Sequence, residues 1–239
     1  MCEPKVSENN MSKFVKDEFL TSVFNKTCYR VTCADGGCLP PDDCEFAYVK
    51  TQPRVFSTKL RKAGFRKIET TVTFSMSVKN ISYQKKSLPT EAKLEDAKAL
   101  KKLAKNLFVA DRWHADPNID DRVARRLKEC WIENYFLGAR GDICIVKKSN
   151  TAIAGFLLVI KNSSSFKIDL IGVDSHFQGL GIGRQLINEL STYIGDKSLK
   201  LDVTTQLKNS QALSFYNSLG FEAQSYLETW HFHKPEVSV

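Results

Sequence analysis

Residues Val173 to Leu186 read Val-Asp-Ser-His-Phe-Gln-Gly-Leu-Gly-Ile-Gly-Arg-Gln-Leu, and this run constrains the fold more than any other. The preceding stretch, Phe166 to Val173, is β-branched and apolar enough for a buried strand. The following stretch, Gly183 to Tyr193, carries Leu186, Ile187, Leu190 and Tyr193 at helical spacing. A glycine-rich turn therefore joins a strand to the start of a helix. Such a turn bares backbone N–H groups, with the positive end of the helix dipole behind them. Glycine at 179, 181 and 183 removes side chains that would keep a phosphate away. The chemistry is that of an anion cradle suited to a pyrophosphate.

The spacing separates this cradle from two common ones. A Rossmann fingerprint needs Gly-x-Gly-x-x-Gly, whereas the glycines here fall as Gly179-x-Gly181-x-Gly183. A P-loop ends in Gly-Lys-Ser/Thr, which is absent. The run Gln178-x-x-Gly181-x-Gly183 instead resembles the acetyl-CoA loop of the GCN5-related N-acetyltransferase (GNAT) superfamily, Gln/Arg-x-x-Gly-x-Gly/Ala. Downstream, after a strand candidate at Leu199–Thr204, Asn209, Ala212, Phe215, Tyr216, Leu219, Gly220 and Phe221 follow in the order of that superfamily's second block. A helix from Asn209 puts Ala212, Leu213 and Tyr216 on adjacent turns, and Gly220 suits the position just past its end.

The resemblance implies an acetyl-CoA-dependent N-acetyltransferase of α+β (α/β) class, with a mixed central sheet flanked by helices. It implies that Ile171, Gly172, Val173, Gln178, Gly179, Leu180, Gly181, Ile182, Gly183, Arg184 and Asn209 hold the cofactor. A backbone N–H near Ile171–Val173 would stabilise the developing oxyanion, and Tyr216 would protonate the departing thiolate. The amine attacks the thioester directly, so no metal and no covalent enzyme intermediate are expected. Taken alone, Tyr216 reads as a core aromatic with a satisfied hydroxyl; the two blocks in order give it the catalytic reading.

Before the catalytic portion, Glu45–Val49 and Thr70–Met76 alternate like strands, and Pro53–Ala63 suits a helix that Gly64 stops. Ala63-Gly64-Phe65 echoes Leu219-Gly220-Phe221. We expect a smaller partial GNAT-like domain over residues 1–86 and the catalytic domain over 87–239. Within the latter, Thr90–Leu107 is a lysine-rich helix whose Leu94, Ala97, Leu100, Leu103 and Ala104 share a face. A loop over Asp111–Asp121 follows. Arg122–Phe136 is a helix with Val123, Leu127, Cys130 and Trp131 on one side. Ile143–Lys147, Ala152–Lys161 and Phe166–Val173 form a meander, and Phe221–Phe232 finishes the sheet.

A narrower resemblance rests on Asp111-Arg112-Trp113-His114-Ala115-Asp116-Pro117, Trp131-Ile132-Glu133-Asn134 and Val203–Leu213. These segments are similar to the TDP-fucosamine (TDP-4-amino-4,6-dideoxygalactose) acetyltransferases of bacterial surface-sugar and lipopolysaccharide synthesis. The acceptor so implied is the 4-amine of a nucleotide-linked deoxyamino sugar. Arg112 and Trp113 would meet the sugar or its diphosphate, since an arginine forks onto phosphate. His114 would relay a proton. Where that family has Phe-Phe-Gly, this chain has Val23-Phe24-Asn25. Peptide, protein, polyamine or other small-amine acceptors, and a non-catalytic CoA-binding module, are the competing readings.

The formal net charge of +8 over 239 residues suits anionic ligands, and no RRM or KH signature accompanies it. Neither nucleic acid nor membrane is an expected partner, and a homodimer is a common state in the family. No run of transmembrane length and a polar stretch from Met1 to Lys13 point to the cytoplasm. Cys28, Cys33, Cys38 and Cys44 cluster, but not with paired Cys-x-x-Cys zinc spacing.

Overall fold

A computed structural model describes residues 13–32, 39–81, 89–150, 152–194 and 199–235. Two compact units divide the described residues. One runs up to Lys67 and resumes at Thr229; the other is Ile68–Glu228. The division thus falls at 67/68, with the chain's end returning to the first unit, rather than at 86/87.

The first unit holds β1 (Phe14–Lys16), α1 (Glu18–Phe24), β2 (Cys28–Val31), β3 (Phe46–Thr51) and α2 (Ser57–Lys62). Its strands lie in the order β1-β2-β3, followed by the C-terminal end of β9 (Glu222–His233). β1 pairs antiparallel and β3 parallel with β2. Phe14, Cys44, Ala47, Val49, Leu60, Phe65 and Trp230 form its core. Burial pushes the thiols of Cys28 and Cys44 up to about 12, so both stay neutral thiols. Cys33 and Cys38 lie outside the described residues. The helix expected from Pro53 starts later, because Arg54 and Phe56 have φ of 65° and 64° and cannot be helical. His231 is buried on β9, its ring edge-on to Phe46.

The second unit contains β4 (Arg66–Ser77, from Ile68 onward), α3 (Ala97–Leu107), α4 (Arg112–Ala115), α5 (Asp121–Phe136), β5 (Ile143–Ser149), β6 (Ala152–Lys161), β7 (Ser165–Val173), α6 (Ile182–Ile194), β8 (Lys200–Gln206) and α7 (Ser210–Ser218). Its strand order is β9-β4-β8-β7-β6-β5. β5, β6 and β7 form the expected antiparallel meander, while β7 and β8 run parallel. Along β6, Leu157 and Val159 join a core with Leu186, Ile187, Leu190 and Tyr216 from α6 and α7. The alternate residues Phe156 and Leu158 join Leu100, Ala104 and Ile132 from α3 and α5 on the other face. This is the mixed sheet flanked by helices that the sequence implies.

Tertiary contacts override local propensity at two places. Thr90–Ala92 does not begin a helix: Ala92 N–H donates to Cys144 O at 2.8 Å and Val146 N–H to Thr90 O at 2.9 Å, so β5 takes this backbone. Leu94 is consequently 77% exposed rather than on a core face. On α5 the buried residues are Ala124, Leu127, Lys128 and Ile132, a face rotated from the expected one. Lys128 is inside because an acid waits for it there.

Candidate active site

β7 carries one residue more than β6 needs. Ile168 pairs with Val159 and Leu170 with Leu158, leaving Asp169 as a bulge. A bulge reverses the strand's face alternation and increases its twist. At this point β7 and β8 part. Their parallel pairing covers Ser165–Ile168 against Lys200–Val203 and then stops. Beyond it, β7 stays with β6 while Thr204–Gln206 stays with β4. The result is an opening between two strands at their C-terminal ends.

Hydrogen-bond parity identifies the groups that face this opening. Asp174 N–H donates to Ala154 O at 2.9 Å, continuing the β6 ladder. Alternate residues Gly172 and Leu170 therefore also turn toward β6, and the N–H groups of Ile171 and Val173 turn toward the opening. Gln178 Nε2 donates to Val173 O at 3.2 Å, tying the following loop back to the strand. Gln211 of α7 donates in turn to Gln178 Oε1 at 3.5 Å, a contact no sequence motif announces.

The loop itself has the form of a cradle. Gly179 and Gly181 have φ of 78° and 75°, and a Cβ built on either meets nothing within 4 Å. Any side chain would be strained there and would project into the open space that a pyrophosphate needs. Two other glycines set α6 close to its neighbours. A Cβ on Gly155 would lie 2.9 Å from Ile182 Cγ2, and one on Gly183 3.0 Å from the Phe215 ring. Arg184 Nη2 donates to Ser218 O at 3.2 Å, so α6 is also held to α7. Leu180 is exposed between the two cradle glycines.

α7 starts and ends as its residues dictate. Asn209, expected among the cofactor-holding residues, caps it, Oδ1 accepting from Ala212 N–H at 3.0 Å. Gly220 N–H donates to Asn217 O and Phe221 N–H to Tyr216 O, with Gly220 at φ 87°. This is a Schellman ending, and its apolar contact sets the Phe221 ring 5.5 Å from Tyr216. Ala63-Gly64-Phe65 ends α2 with the same two bonds. The sequence echo between them is thus capping chemistry. Tyr216 is 4% exposed, with Phe74 and Phe215 also against its ring at 6.0 and 5.3 Å. Burial pushes its phenol up from the ordinary value, so it remains a proton donor at neutral pH.

A second group is centred on Asp111, in the segment read as a loop. Asp111 caps α4, accepting from the N–H groups of Trp113 and His114 at 3.1 and 3.2 Å. The same Oδ1 lies 2.8 Å from His114 Nδ1, and Oδ2 lies 2.5 Å from Lys128 Nζ. Burial pushes the Asp111 carboxyl up, but Lys128 and the His114 donors more than offset this and hold it below the usual carboxylate range. An ionised Asp111 accepts only, so Nδ1 carries a ring proton, and in the neutral imidazole Nε2 is then the acceptor. Nε2 is buried with no hydrogen-bond partner among the described residues. Trp113 is 3% exposed with the Arg112 guanidinium 3.8 Å over its ring. It cannot offer an open ring face to a sugar.

Lys128 joins the two groups. Its Nζ sits 4.7 Å over the ring of Trp131, whose other cation neighbour, Arg140, stacks at 4.2 Å. Trp131 Nε1 donates to Asp169, the bulge residue of β7. The Asp111–His114 group and the β7 opening are thus linked through α5, whereas Tyr216 lies in the core on the other face of the sheet. Replacing Lys128 by methionine leaves Asp111 buried without its cation. We expect destabilisation of about 3–5 kcal/mol, measured by urea denaturation; a change within error would show that Asp111 is neutral or hydrated.

Comparison with known proteins agrees with this architecture. A family model described as "Acetyltransferase (GNAT) domain" matches residues 124–229. N-alpha-acetyltransferase RimI of Mycobacterium tuberculosis is 32% identical over 127 residues, covering 53% of this chain and 73% of that protein. The spore coat polysaccharide biosynthesis protein SpsD of Bacillus subtilis is 29% identical over 140 residues, covering 58% of this chain and 47% of that protein. The chain thus spans about half the length of SpsD. The crystal structure of a putative GNAT-family acetyltransferase from Novosphingobium aromaticivorans superposes with a TM-score of 0.53 at 13% identity, covering 84% of this chain and 79% of that one. The chain belongs to the GNAT family. Use of acetyl-CoA follows from the fold. No helix among the described residues is long and apolar enough to cross a membrane.

Proposed function

We propose that this chain is an N-acetyltransferase acting on the 4-amino group of a nucleotide-linked deoxyamino sugar on the way to a surface polysaccharide such as lipopolysaccharide. The observation that carries the reading is the α4 segment, where an arginine, a buried tryptophan and an acid-oriented histidine are presented together. The printed description of SpsD as a spore coat polysaccharide biosynthesis protein supports the same class. RimI, described as an N-alpha-acetyltransferase, supports a protein N-terminus as the second reading.

The residues present fit acetyl-CoA. The cradle Gly179–Arg184 would hold the pyrophosphate, and the edge of β7 from Ile171 to Val173 would line the pantetheine arm. When bound, acetyl-CoA supplies the thioester carbonyl. The N–H groups of Ile171 and Val173 face the opening and can stabilise charge on that carbonyl oxygen. His114 Nε2 accepts a proton from the amine, with Asp111 holding the ring's orientation. Tyr216 would supply the proton that the departing thiolate takes up. The net result moves one proton from nitrogen to sulfur. The strand–helix–strand order β3–α2–β4 supports a partial GNAT-like N-terminal portion, with no glycine cradle among its described residues.

Arg112 gives this reading its test. Arg112→Gln should raise KM for a TDP-linked 4-amino-4,6-dideoxyhexose by about tenfold or more, the size of one lost charge-assisted contact. It should leave the affinity for acetyl-CoA unchanged. Equal KM values for variant and wild type would remove Arg112 from diphosphate recognition and favour an uncharged acceptor.

A further inference from the structure

Asp169 accepts four hydrogen bonds from three side chains. Its Oδ2 accepts from Trp131 Nε1 at 2.7 Å, Tyr135 Oη at 2.9 Å and Arg140 Nε at 2.7 Å, and its Oδ1 accepts from Arg140 Nη2 at 2.7 Å. Its side chain is 5% exposed. All three donors come from α5 and the turn that follows it. Trp131 and Tyr135 stand one helical turn apart, so one face of α5 grips the bulge.

That grip selects which backbone groups the opening receives. Strand parity has a period of two, so a one-residue slip exchanges the two edges. Without the bulge, Leu170 and Gly172 would aim their N–H groups at the opening, and those of Ile171 and Val173 would turn to β6. The extra residue at 169 prevents this, and the clasp holds it in place. Resting on the proposed placement of the acetyl group against β7, we infer that Asp169 is a positioning residue for acyl transfer. Through Arg140, Trp131 and Tyr135 it holds the bulge in the register that presents Ile171 and Val173 N–H to the thioester carbonyl. The cradle at Gly179–Arg184 is covalently downstream and makes no contact with this clasp among the hydrogen bonds described, so the two contributions separate.

The test compares acetyl-CoA with CoA on the whole protein, wild type and Asp169→Asn. Amide shifts of Ile171 and Val173 are followed by NMR, and both dissociation constants by calorimetry. In the wild type, acetyl-CoA should move one or both amides downfield relative to CoA, because only the acyl form brings a carbonyl acceptor. In Asp169→Asn that acyl-specific shift should vanish while the CoA affinity stays as in the wild type. Persistence of the shift in the variant would overturn the inference, and so would an equal loss of affinity for both ligands. Should Asp169→Asn not fold, Tyr135→Phe removes a single donor. It should reduce the acyl-specific shift with CoA affinity intact, and an unchanged shift would again overturn the inference. A wild-type protein that binds CoA but shows no acyl-specific shift would contradict the proposed acyl placement itself and remove this inference with it.

Discussion

Gly181→Glu is expected to abolish acetyl-CoA binding. Glutamate would place a carboxylate where the loop collects an anion, and like charges brought together cost several kcal/mol, equivalent to a loss of about 100-fold or more in affinity. The backbone adds to this, because Gly181 sits at φ 75° and any side chain is strained there. Strain and cradle can be told apart with Gly138→Ala. Gly138 has φ 68°, and a Cβ there also meets nothing within 4 Å, but it lies in the turn after α5 rather than in the loop. It should lower stability by about 1 kcal/mol and leave binding untouched. Calorimetric titration of both variants decides the matter. Full affinity in Gly181→Glu would mean that the loop is only a connection between β7 and α6.

Tyr216→Phe is expected to lower kcat by about 100-fold or more, the usual worth of a placed proton donor, with acetyl-CoA affinity and Tm unchanged. The reason for the split lies in the packing. The ring is held by Phe74, Phe215 and Phe221, which a phenylalanine satisfies equally. Burial keeps the phenol protonated across the neutral range, so no alkaline loss of activity should arise from it below pH 10 or so. Steady-state kinetics with a circular-dichroism melt checks all three points. An undiminished kcat would make Tyr216 a core aromatic alone, with water protonating the thiolate.

Local chemistry made much of this architecture legible. The glycine loop, the Asn209 cap and the Gly220 ending each depend on a few adjacent residues, and each lies where its motif implies. The meander was legible because apolar runs in β5, β6 and β7 are separated by short polar turns. Long-range partners account for what the sequence concealed. No periodicity discloses that β7 spends one residue on a bulge, since a period-two pattern looks the same on either side of Asp169. Lys128 belongs on a polar helix face until Asp111 is brought against it. Trp131 and Tyr135 look like ordinary helix aromatics until a strand acid collects their donors. β1, α1 and β2 are three to seven residues long, too short for a periodic signal. Arg112, Trp113 and His114 were singled out from a resemblance in sequence, yet Asp111, which caps their helix, carried a visible signal. An aspartate before a short helical run is a capping position.

The central claim is an acetyl transfer from acetyl-CoA to a nucleotide-linked amino sugar, and mass spectrometry tests it most directly. The protein is incubated with acetyl-CoA and a panel of TDP- and UDP-linked 4-amino-4,6-dideoxyhexoses, beside an N-terminal peptide and a polyamine. We predict that one nucleotide sugar gains a single acetyl group while the peptide and polyamine remain unmodified. Acetylation of the peptide or polyamine with every sugar unchanged would contradict the account, leaving the GNAT fold and moving the acceptor to another class of amine.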